Sequence, residues 1–168
     1  MLKPSSIFII LCIIFSRWLP HPPNFTPVIA VFMMAGTINL LPCLIAYLIS
    51  DAILGFHSYM LWVYSSLFLI AYLQKGAIVS STMFFVITNF GVWTSGWYGY
   101  NFEGLLTCYI MAIPFFANTL TSTVIFSILF KKAGEYNSST KNVVQINIKS
   151  FEEVPIHHTK LVHKTEIM

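Results

Sequence analysis

The sequence predicts an all-α integral membrane protein of about six transmembrane helices, five in a second count, with both termini in the cytoplasm. Three observations lead there. The 168 residues are 57% hydrophobic and 9% charged, with a mean hydropathy of +0.75, whereas soluble domains carry about a quarter charged residues. The charges are also uneven: up to Phe130 the chain holds only Lys3, Arg17, Asp51, Lys75 and Glu103, and residues 131–168 hold the other ten. Finally, the apolar runs are broken by Pro, Gly and Asn rather than by long polar loops, as short connectors between membrane helices are. The pattern divides the chain into a transmembrane helical domain, residues 1–131, and a polar cytoplasmic tail, residues 132–168, expected to be disordered.

The first helix is expected over residues 4–18. Lys3 and the apolar run that follows resemble the start of a secretory signal, but Arg17-Trp18-Leu19-Pro20 offers no small-residue cleavage site, so the segment reads as a retained span. The second and third, 26–38 and 40–55, divide near Asn39 and Pro42; the five-span count fuses 26–50 into one kinked helix. Thr26 is placed to cap the second, with Pro27 at its first helical position. The fourth, fifth and sixth run over 58–74, 77–90 and 104–131, the last with Pro114 inside it. Several of these are only about 13–16 residues, or about 20–24 Å, against a hydrocarbon core of roughly 30 Å, which implies a thin bundle or partial spans. In the tail, Val143 to Ile148 alternates like a strand.

Orientation follows from the lysines. Six spans with the N-terminus inside place Lys3, Lys75, Lys131 and Lys132 in the cytoplasm and leave Arg17 outside, together with Asp51 and Glu103. Three polar, turn-forming phrases then share the outer side: His21-Pro22-Pro23-Asn24-Phe25-Thr26-Pro27, Ser50-Asp51-Ala52-Ile53-Leu54-Gly55-Phe56-His57 and Thr88-Asn89-Phe90-Gly91-Val92-Trp93. Prolines stiffen the first and hold Asn24 against the bundle. In the second, a carboxylate at membrane depth, Asp51, is costly and marks a functional position, with His57 six residues on. The third leads into aromatics among glycines, Trp93 to Phe102, which suit either a stacking pocket or an interfacial belt. Asn89 needs a hydrogen-bond partner in apolar surroundings, and Glu103 closes the same stretch. Asn24, Asp51, His57, Asn89, Trp93 and Glu103 are therefore the candidate substrate-binding residues.

Other chemistries find less support. Cys12, Cys43 and Cys108 lie in apolar runs and are spaced like neither a disulfide framework nor a zinc site, and His157, His158 and His163 lack a scaffold. There is no His-Glu-x-x-His, no Gly-x-Ser-x-Gly and no phosphate-binding Gly-Lys-Ser/Thr loop. No catalytic residue, metal or cofactor is assigned. The net charge of +3 comes mostly from the tail and argues little for nucleic acid.

Arg17 with Leu19 to Pro27, Ser50-Asp51 with Leu54-Gly55 and His57, Thr88 to Trp93, and Ala112-Ile113-Pro114-Phe115-Phe116 resemble a family of small uncharacterised bacterial membrane proteins, which in turn looks like the S components of energy-coupling-factor (ECF) vitamin transporters. The resemblance covers about residues 8 to 130. It implies six helices in the bacterial cytoplasmic membrane and a vitamin or related micronutrient, neutral or aromatic, bound near the outer face. It also implies delivery through a separate transmembrane coupling subunit and ATPases. One departure stands out: S components commonly carry an Ala-x-x-x-Ala pair on the first helix, and here Ser6 with Ile10 fails while Cys12 with Ser16 could serve. Two alternatives stay open, an intramembrane metal or enzymatic site using Asp51, His57 and Glu103, and a structural membrane protein without a ligand.

Overall fold

The computed structural model describes residues 11, 13–35 and 40–152, with side chains up to residue 133. Among the described residues there are six helices and no strand. The first, α1, lies within 11–18; α2 is Val28–Ala35, α3 Leu40–Leu54, α4 Met60–Leu73, α5 Ala77–Trp93 and α6 Phe102–Glu152. All six expected helices are present, and α2 and α3 are separate elements. The beginning of the first expected span, Cys12, Asn39 and the three histidines of the tail lie outside the described residues.

The chain divides into two compact units, Met1–Phe130 and Lys131–Met168. In the second, residues 131–152 are helical, including the stretch Val143 to Ile148 that alternates like a strand. Alternation over six residues is a weak signal, and a helix that has already nucleated adds residues at little further cost.

In the first unit α2 is the central element. Seven of its eight residues are buried, all but Met34, which requires neighbours on every side, and it packs on α3, α4 and α5. The buried cluster joins Phe32 and Val28 of α2 to Ile13, Cys43, Tyr47, Leu67 and Ile70. Helices α4 and α5 approach closely because Gly91 has no Cβ: one placed there would collide with the Trp62 ring, which meets Phe90 edge-on with centroids 5.4 Å apart. The α6 segment before residue 131 is tied to α5 by Tyr109, whose hydroxyl donates to the Val86 carbonyl at 2.7 Å, and by Phe116 against Phe85.

Local chemistry sets the helix ends. The Pro27 carbonyl accepts the first helical bond, from Val31, so Pro27 takes the cap position expected of Thr26, whose hydroxyl makes no capping bond. Asn101 caps α6: its Oδ1 accepts from the Gly104 N–H at 2.6 Å and its carbonyl from Leu105. Pro42 falls in the first turn of α3, where its missing N–H costs no helical bond, whereas Pro114 lies inside α6 and leaves the Ile110 carbonyl without its usual donor.

Much of the outer surface is apolar. Leu41, Leu61, Phe68, Ile78, Met111 and Ile113 are all more than half exposed, Leu61 at 74%. The Phe102–Ala133 stretch of α6 is long and apolar enough to cross a bilayer, while α3, α4 and α5 are apolar but shorter.

Candidate functional site

Arg17 at the end of α1 and Asp51 near the end of α3 form an ion pair, Nη1 to Oδ1, at 2.5 Å, with the aspartate side chain 1% exposed and the arginine 16%. A carboxylate this deep demands compensation. Oδ1 receives it as an ion contact rather than an aligned hydrogen bond, and Oδ2 accepts from the Tyr64 hydroxyl of α4 at 2.8 Å. The guanidinium carbon lies 4.2 Å from the centre of the Tyr47 ring, and Tyr47 meets Tyr64 edge-on at 5.4 Å. Three helices thus converge on one charge pair, and the guanidinium sits over an aromatic ring.

Two adjoining cavities, of about 250 and 320 Å³, share Arg17, Asn24, Tyr47, Phe84 and Thr119 in their walls. The smaller adds His21, Thr26 and the start of α2; the larger adds His57, Tyr59, Thr88, Asn89, Phe85, Phe115 and Phe116. The connector between α1 and α2 reaches this wall by a built turn. The Phe25 N–H bonds back to the Pro22 carbonyl at 3.0 Å, and Asn24 has φ +63°, the arrangement of a type II turn with proline before a left-handed residue. Asn118 of α6 secures it, donating to the Pro23 carbonyl at 3.0 Å.

Of the expected site residues, the structure brings Asn24, His57 and Asn89 together in the wall of the larger cavity. The Asn89 amide finds its partner within α5, donating to the Phe85 carbonyl at 2.7 Å. Asp51 stands behind the wall and contacts the site through Arg17. Trp93 is not in either wall: its indole N–H donates to the Gly99 carbonyl at 3.0 Å and its ring packs on Phe90 and Tyr100, which fastens the turn between α5 and α6. Glu103 is exposed in the first turn of α6, where a carboxylate favours the positive helix end. Among the described residues no group of three or more His, Cys, Asp and Glu side chains is placed to hold a metal ion.

Sequence reasoning missed Arg17, Tyr47 and Thr119 as wall residues. A signal for the first existed, since Arg17 is the only arginine and Asp51 the only aspartate in the chain. Thr119 lies on a helix face whose hydroxyls bond their own helix, as its Oγ1 does to the Phe115 carbonyl, and nothing in its spacing sets it apart.

Residues 4–144 match the profile of DUF6580, described as a family of unknown function. No curated protein and no solved structure matches the chain.

Proposed function

We propose a transport role for this chain, which belongs to the DUF6580 family: it is a substrate-binding subunit of the bacterial cytoplasmic membrane, akin to the S components of ECF transporters, that takes up a small planar micronutrient. The observation that carries the reading is that three separated polar phrases contribute Asn24, His57, Thr88 and Asn89 to one cavity walled by Tyr47, Phe84, Phe85 and Phe116. Aromatic walls with a few convergent polar groups suit recognition of a planar molecule. The membrane setting is supported by exposed apolar side chains on α3 to α6 and by the length and hydropathy of α6. Such side chains are at home in lipid and costly in water. The chain carries no nucleotide-binding loop, so energy for uptake comes from a separate membrane subunit and ATPases.

The test is native mass spectrometry of protein purified in mild detergent from cells grown in rich medium. The wild type is expected to carry a small molecule that the Asn24→Ala, Asn89→Ala double variant loses and Glu103→Ala, outside the cavity, retains. An empty wild type, or an adduct indifferent to the double variant, defeats the reading.

A further inference from the structure

We infer that Arg17 is the anchor of this cavity and that its ligand is a neutral planar molecule presenting a carbonyl-type oxygen, an inference that rests on the substrate-binding reading above. Arg17 belongs to the walls of both cavities. Its Nη1 is engaged by Asp51 and, at 3.5 Å, by the Tyr47 carbonyl. Among the described residues Nε and Nη2 have no protein acceptor, yet a guanidinium carries five N–H donors in a fixed plane. The Tyr47 ring at the guanidinium carbon and Asp51 at Nη1 hold the group in place and so fix where the remaining donors stand. Asp51 and Tyr64 are positioning residues here: they reach the ligand only through Arg17.

Charge balance selects the ligand class. Asp51 already neutralises Arg17 at close contact, so a carboxylate or phosphate on the remaining edge would set a second anion against a buried one. Beside Arg17, neither wall holds a lysine or a second arginine to offset such a charge. A neutral carbonyl takes the same donors without that repulsion. The Asn89 Oδ1, which accepts no bond among the described residues while its Nδ2 is used by Phe85, offers a complementary acceptor for a ligand N–H, as a heteroaromatic amide or lactam would supply.

The experiment compares the molecule carried by wild type, Arg17→Lys, the Arg17→Met, Asp51→Leu double variant and Asn101→Ala, by native mass spectrometry with fragmentation of the released species and thermal unfolding alongside. Arg17→Lys keeps a charge for Asp51 but loses the planar fork, and the bound fraction is expected to fall about tenfold or more, the loss of one charge-assisted contact. The double variant, with no charge left buried, is expected to fold and to carry nothing. Asn101→Ala, which removes the cap of α6 outside both cavities, is expected to melt lower yet keep the molecule, which separates anchoring from folding. Adduct retained in both Arg17 variants overturns the anchor while leaving the substrate-binding reading in place; a released molecule bearing carboxylate or phosphate overturns the ligand class. A wild type without adduct removes the reading and this inference with it.

Discussion

At the scale of single residues, two kinds of buried polar group behave oppositely. Asp51 has compensation from Arg17 and Tyr64, so removing one partner strands a charge. Asp51→Leu is expected to cost about 3 kcal/mol, read as a lower melting temperature in detergent. Adding Arg17→Met should restore most of that stability, because a well-packed apolar pair replaces a buried ionic one at little cost. A double variant as unstable as the single would mean that the pair is not what Asp51 contributes. Ser81 is the reverse case: buried at 0% exposure, its hydroxyl has no partner among the described residues. Ser81→Ala removes an unsatisfied group and should raise stability by about 1 kcal/mol; a loss of that size would reveal an unseen partner such as a bound water.

Individual elements were readable where punctuation is strong. The boundaries of α3, α4 and α5 follow Gly55, Gln74-Lys75-Gly76 and the apolar runs between them, since a helix ends where its next residue favours a turn. Gln74 and Gly55 both take positive φ at those ends. Less readable were ends set by side-chain bonds, as at α6, where Asn101 rather than any apolar periodicity decides the start. Asn101→Ala is expected to lower stability by about 1 kcal/mol, with Asn101→Asp close to wild type, in the same unfolding assay. The α4–α5 contact makes a sharper prediction. Gly91 faces the Trp62 Cβ and ring with no room for a methyl group, so Gly91→Ala should cost about 1–3 kcal/mol through overpacking. Pairing it with Trp62→Leu should recover part of the loss, and no recovery would place the cost in the α5 backbone instead.

At the scale of the whole molecule, the sequence conveyed which phrases meet but not which of their residues face inward. Asn24, His57 and Asn89 line one cavity, whereas Trp93 and Glu103 serve the turn and first helical turn beside them. Residue type cannot distinguish those fates, because an aromatic ring or a carboxylate serves a pocket and a helix terminus equally well. Arg17 is hidden for a related reason: in the sequence it reads as a charge that orients the chain, and only the fold brings it to Asp51, 34 positions on. The same count of charges yields the final prediction. If the six helices span with the N-terminus inside, Ser58 between α3 and α4 and Tyr100 between α5 and α6 lie outside, while Lys75 between α4 and α5 and Lys131 lie inside. The five-span arrangement reverses all four. Single cysteines at these positions, in a background lacking the native three, should therefore react with an impermeant maleimide in intact cells at 58 and 100, and at 75 and 131 only after permeabilisation. The inverted pattern would overturn six spans with the N-terminus inside, and protein recovered free of membranes with all four reactive would refute the spanning arrangement itself.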